Sequence, residues 1–251
     1  MKKIKLIIGL LCMMWVVPML TACDDDDDFS YYTDMATVAD QDGQWILNSD
    51  NGGTLIPEDA SLIKANGAEK DGQRVIAAFN FTDDRNGNRV KLYDVYRVLT
   101  KDVYKMTEAD EDSIGNDPIA ITRMFTSADH LNIRFIYDGN VSGIKHFINL
   151  VTTEQSTVDD KGLLYMELRH NNEGDHPRFR QAGWVAFPLK SIPGFAEGKI
   201  KGVKIKTNKG DGNEEIIAYT FPTKEDNNGQ TKLKTDNAEL SISSFSNTET
   251  K

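Results

Sequence analysis

The chain has 251 residues, 27% of them charged and 39% hydrophobic, which excludes both a disordered polymer and a bundle of membrane spans. Its formal net charge is −10, and setting aside Lys2, Lys3 and Lys5 at the N-terminus leaves 26 basic residues (29 less 3) against 39 acidic ones, or −13. A phosphate-binding surface needs clustered Lys and Arg, so nucleic acid is excluded as a partner.

Residues 1–5, MKKIK, form a basic start, and residues 6–20, LIIGLLCMMWVVPML, form an apolar run broken by Gly9 and Pro18. That run is shorter than the roughly 20 residues of a spanning helix, so residues 1–22 read as a secretory signal peptide. Leu20, Thr21, Ala22 and Cys23 resemble the lipobox of bacterial lipoproteins. The resemblance implies cleavage directly before Cys23, which then carries a covalent diacylglycerol and an N-acyl chain. Several acyl chains together anchor a protein durably. No cofactor beyond these lipids is expected. With Cys12 lost in the leader and Cys23 lipidated, the folded part has no thiol and no disulfide.

Five aspartates follow the cysteine: Asp24, Asp25, Asp26, Asp27 and Asp28. Residues 23–30 read as a self-repelling tether. The run also resembles the acidic export signal of Bacteroidetes surface lipoproteins, which implies a protein anchored in the outer membrane and facing the exterior. An aspartate at this position in enteric lipoproteins resembles an inner-membrane retention signal, but retention needs one acidic residue and here there are five.

From residue 31 onward, short runs rich in Val, Ile, Phe and Tyr recur between turn signals, the pattern of an all-β chain with little helix. Strands are expected near residues 31–38, 44–48, 54–57, 74–81 and 89–99. The Asn-Gly pairs in NSDNGG and TDDRNGN suit tight hairpin turns. Val75, Ala77, Phe79 and Phe81 fall on one face. Five short strands in residues 31–106 suggest a small barrel of oligonucleotide-binding (OB) type, a name that describes shape only. Residues 107–118, TEADEDSIGNDP, read as a polar linker.

Seven further strands are expected over 119–125, 131–137, 145–153, 163–170, 179–189, 200–207 and 215–221. Their count and spacing within residues 119–222 match an immunoglobulin-like β-sandwich. Leu131, Ile133, Phe135 and Tyr137 alternate with Asn132, Arg134 and Ile136, as in a sheet with one wet face. Residues 223–251 read as a polar tail with an edge strand at 238–242.

The segments TVADQDGQWILNSDNGGTLIPED, DGQRVIAAFNF, VKLYDVYRVLTKDV, HLNIRFIYDG, KHFINLV and LLYMELRHNNEGDHPRFRQAGWVAFPL resemble the NigD-like family of Bacteroidetes lipoproteins over about residues 30–222. The resemblance implies an N-terminal OB-type domain, a C-terminal β-sandwich and a bacteriocin-associated immunity or accessory role. No catalytic residue comes with it.

The chain lacks Gly-x-Ser-x-Gly, phosphate-loop and dinucleotide glycine patterns, and a mature thiol nucleophile is missing. A non-enzymatic role is therefore expected, with a protein partner as the first reading, a glycan in polysaccharide uptake as the second and an envelope hydrolase as the third. Of the four histidines, His130, His146, His170 and His176, the last two flank Glu173 and Asp175 in HNNEGDH. That spacing matches no standard zinc pattern and reads as a polar hairpin tip, so no metal is assigned. DDRNGN at 83–88 and DGNEE at 211–215 read as turns. Tyr31, Tyr32, Trp45, Tyr93, Tyr96 and Trp184 could build an aromatic platform, with Trp45 the foremost candidate for exposure.

Overall fold

The computed structural model describes residues 31–82, 87–140 and 143–222. The signal peptide, Leu20, Thr21, Ala22, Cys23, Asp24 to Asp28, the first four residues of DDRNGN and the tail with its expected edge strand lie outside the described residues.

Five strands close the N-terminal barrel: β1 (Tyr32–Gln41), β2 (Gln44–Ser49), β3 (Gly53–Pro57), β4 (Arg74–Phe81) and β5 (Arg89–Arg97), in the order β1-β2-β3-β5-β4. Strand β1 is long because it serves two neighbours, pairing with β4 through Tyr32 to Thr37 and with β2 through Ala36 to Gln41. A five-residue helix, α1 (Ser61–Ala65), lies between β3 and β4 and drops Ile63 into the barrel core. Val38, Leu47, Leu55, Val75, Phe79 and Val95 fill that core.

The hairpin turns depart from expectation in detail. In the barrel, a tight turn with two residues at positive φ forms at Asp42-Gly43, which joins β1 to β2. In NSDNGG only Gly53 has positive φ, because the loop is built instead around the Asp34 carboxylate and the Ser49 hydroxyl. Those groups accept hydrogen bonds from the Asn51 and Gly52 amides. The Asp-Gly of DGNEE does form the expected turn, with φ of 53° at Asp211 and 73° at Gly212.

The C-terminal half is a two-sheet sandwich. Its strands are β6 (Leu99–Thr100), β7 (Tyr104–Lys105), β8 (Ala120–Ser127), β9 (His130–Gly139), β10 (Phe147–Thr152), β11 (Leu163–Asn171), β12 (Phe179–Pro188), β13 (Gly202–Gly210) and β14 (Asn213–Thr220). One sheet runs β14-β13-β11-β10-β7 and the other β6-β12-β9-β8. Strands β11 and β13 are parallel, since β12 crosses to the opposite sheet between them. Leu131, Ile133, Phe135 and Tyr137 point into the core, as their alternation implies.

The passage from barrel to sandwich falls earlier than the polar composition of 107–118 suggests, because β6 and β7 already pair with sandwich strands. Nor is 107–118 a bare linker. It holds a 3₁₀ turn at Glu108–Asp110 and a short helix, α2 (Glu111–Ile114), and it packs on β11. The Asp117 amide donates to the His170 carbonyl, and the Asn171 side chain donates to the Ser113 carbonyl. The approach is close enough to require Gly115, with φ of 71°; a Cβ there would lie 2.7 Å from that of Asn171.

Barrel and sandwich share a third apolar cluster of Met35, Ile76, Val98, Trp184 and Ala186, with Tyr96 and Phe125 packed against it. This contact explains why Ile76, on the outer face of β4, is as buried as the core-facing Val75 and Ala77.

Candidate functional site

Tyr31 and strands β1, β4 and β5 place aromatic side chains together at one end of the barrel, where Tyr32 and Phe81 continue the core-facing side of β1 and β4. Tyr31, Tyr32 and Phe81 are 49%, 59% and 46% exposed, and Tyr93 is half-buried beside them. The rings form two groups: Tyr31 meets Tyr93 at 6.4 Å between centroids, and Tyr32 meets Phe81 at 5.7 Å, Phe81 resting in turn on the core residue Phe79 at 5.5 Å. The exposed rings meet at interplanar angles of 41° and 65°, so the surface is ridged rather than flat. The Lys91 ammonium sits 5.5 Å over the Tyr93 ring, a cation–π contact that leaves a positive charge beside the aromatics. Val75, Ala77, Phe79 and Phe81 lie on one face of β4 as expected, yet Phe81 runs past the barrel end and emerges.

The remaining aromatics of the expected platform are not part of this face. Trp45 is half-buried and packs against the barrel core, so the expectation of its exposure is corrected. Its neighbours Ile46 and Leu47 are both buried, which left its own side undecided by alternation. Trp184 is wholly buried between the domains, its ring edge-on to Phe125 at 5.7 Å. Tyr96 is packed against the same junction.

A second polar assembly spans the domain junction. The fully buried Arg74 guanidinium forks onto Asp50, Nη1 to Oδ1 at 2.8 Å and Nη2 to Oδ2 at 2.5 Å. It also donates to Thr37 Oγ1, at 2.9 Å, and to Ser127 Oγ, at 3.2 Å, across the interface. Ser127 in turn donates to Asp50 and receives the Asn132 amide. Beside it opens a cleft of about 760 Å³ between barrel and sandwich, within the usual size range for a small-molecule pocket. Lys101 and His130 line it. Desolvation lowers the pKa of the Lys101 ammonium, which donates to Asn149 Oδ1 at 2.5 Å. Burial likewise lowers that of His130, although the contact of its Nδ1 with the Ala128 carbonyl opposes the shift.

A third cluster lies at the end of the sandwich. His170 does not join His176, which is exposed; instead it meets His146, Nε2 to Nδ1 at 2.8 Å. His146 Nε2 lies 3.1 Å from Asp175 Oδ2, and His170 Nδ1 lies 3.0 Å from the Pro118 carbonyl. Desolvation, with the charge of His146 adding to it, drives the His170 pKa down to about 4, the Pro118 contact opposing. Tyr137 packs on both imidazoles. Gly139 makes room for them, since a Cβ there would lie 3.0 Å from His146 Cε1. Among the described residues no group of three His, Cys, Asp or Glu side chains is arranged to hold a metal ion. Sequence reasoning missed this cluster because its members are far apart in the chain; a buried histidine pair has no local signature.

The fold and these surfaces define a two-domain β protein in which a five-stranded barrel is fused to a sandwich through a shared core. A model described as the NigD-like N-terminal OB domain matches residues 35–98, and one described as the NigD-like C-terminal beta sandwich domain matches residues 102–221. The chain belongs to the NigD-like family. Among solved structures, a protein of unknown function from Bacteroides vulgatus is 28% identical, with a TM-score of 0.61 over 78% of this chain and 94% of its own. A NigD-like immunity protein from Bacteroides caccae is 18% identical, with a TM-score of 0.56 over 76% and 93%. A candidate lipoprotein from Bacteroides fragilis is 13% identical, with a TM-score of 0.58 over 78% and 100%. The latter two likenesses concern the fold alone. No curated protein matches the chain.

Proposed function

We propose that this chain is a non-enzymatic cell-envelope protein, lipid-anchored through Cys23 and displayed on the outer membrane, that binds a protein partner in an immunity or accessory role. The observation that carries the reading is the aromatic face of the barrel, where Tyr31, Tyr32 and Phe81 are about half exposed side by side. Large rigid rings next to a cation are what protein interfaces concentrate, because they offer much contact area at little conformational cost. Membership of the NigD-like family supports the role, and one relative of the same fold is named an immunity protein. Another is named a candidate lipoprotein, and no helix among the described residues is long and apolar enough to cross a membrane.

A glycan ligand also calls for exposed aromatics, but a sugar ring rests on a flat surface and these rings meet at 41° and 65°. Binding to an oligosaccharide array separates the two readings. The protein-partner reading expects no saturable signal; a saturable signal lost in Tyr32→Ala would replace it with the glycan reading.

A further inference from the structure

The contacts among His146, His170 and Asp175 determine how many protons the cluster holds. Three gaps lie between heavy atoms at hydrogen-bond distance: Pro118 O to His170 Nδ1, His170 Nε2 to His146 Nδ1, and His146 Nε2 to Asp175 Oδ2. Each gap needs one hydrogen. Two neutral imidazoles and an ionised carboxylate supply two between them. A carbonyl only accepts, so His170 carries its hydrogen on Nδ1 and offers Nε2 as an acceptor. A neutral His146 then fills only one of its two gaps: with its hydrogen on Nδ1 the gap to Asp175 is bare, and with it on Nε2 the gap to His170 is bare. Without a further proton, two lone pairs would face each other at one gap or the other in a buried site.

The geometry points to a proton-binding site at this end of the sandwich, where one additional proton on His146 lets it donate to His170 and Asp175 at once and fastens the β11–β12 loop to the β9–β10 loop. Asp175 is the link because its Oδ2 also accepts the Asn140 amide at 2.6 Å. The residues are 1% to 5% exposed, so water cannot fill the gap in the proton's place. The low His170 pKa fits its part as the neutral acceptor. The other titratable groups facing the cluster are Tyr137 of β9 and Asp117 ahead of β8, whose charge acts on His170. Asp138, Lys145, Glu173, His176, Arg178 and Arg180, the charged residues of the adjoining loops and strand ends, are exposed.

The folded chain therefore takes up a proton relative to the unfolded one near neutral pH. Linkage then makes the folding equilibrium constant fall as pH rises, approaching tenfold per pH unit for one whole proton. The test is urea unfolding of the full chain at intervals between pH 7 and 8.5, for the native sequence and for Asp175→Asn, whose side-chain NH₂ can donate to His146 in the proton's place while giving up the Asn140 contact. The native chain is expected to lose stability across this window and Asp175→Asn is not. A flat native profile, or an equal slope in the variant, overturns the proposal. A second reading needs no variant: ¹⁵N-histidine spectra of the native chain should show His170 protonated at Nδ1 and bare at Nε2. A proton on Nε2 of His170 would break the counting on which the proposal rests.

Discussion

Replacing Arg74 with Met removes a guanidinium that is wholly buried at the domain junction and leaves the Asp50 carboxylate, itself mostly buried, with the Ser127 hydroxyl as its remaining partner in the network. Four contacts disappear at once, two to Asp50 and one each to Thr37 and Ser127. Breaking a buried ion pair from one side costs about 3–5 kcal/mol, because the surviving charge stays desolvated without its counter-ion. Adding Asp50→Asn discharges the stranded carboxylate, and replacing both members of a buried pair is often close to neutral. The double variant is thus expected to be more stable than Arg74→Met alone, by most of that loss. Urea unfolding followed by tryptophan fluorescence reads the effect, since Trp45 packs on the barrel core and Trp184 lies at the junction. An Arg74→Met cost below about 1 kcal/mol, or a double variant weaker than the single one, would refute the reasoning that this pair is tightly desolvated.

The pH profile has an acid limb set by His170. Its pKa falls from 6.5 in the unfolded chain to about 4 in the fold, so its contribution is complete above pH 6.5 and is lost as pH falls toward 4. The whole loss amounts to about 3 kcal/mol, and His170→Gln should flatten that limb in urea midpoints measured at pH 7 and pH 4. Gly183→Ala places a Cβ 2.6 Å from Phe135 Cζ in the sandwich core and is expected to cost about 1–3 kcal/mol by thermal unfolding. Cys23→Ala should abolish labelling by a fatty-acid probe and release the protein from the membrane fraction; retained label would place the lipid elsewhere.

Much of the architecture is legible in local sequence. The β4 strand expected over 74–81 forms with those bounds, and the alternation of Leu131, Ile133, Phe135 and Tyr137 marks the core face of β9. Period-two reasoning identifies one buried face per strand, and it fails where two domains meet. Asn132 is as buried as its apolar neighbours because the outer face of β9 is covered at the junction. The same limit hid Trp184, whereas Trp45 was misplaced because Ile46 and Leu47 beside it are both buried. Arg74 and Asp50 look like ordinary surface residues in the sequence, and only the closed barrel beside Ser127 makes their pairing visible. His146 and His170 face each other because β10 and β11 are neighbours in register, Ile148 opposite His170. Spacing within HNNEGDH directed attention to His176, on the wrong side of the turn.

The central claim is that the aromatic face of the barrel meets another protein at the cell surface. A photo-crosslinking side chain placed at Tyr32 on whole cells tests it most directly, with Val158, an exposed residue of the sandwich half, as the control position. The account predicts one discrete polypeptide adduct from position 32 and none from position 158, lost when Phe81→Ala is added. Adducts to glycan or lipid alone, or the same adduct from both positions, would contradict it.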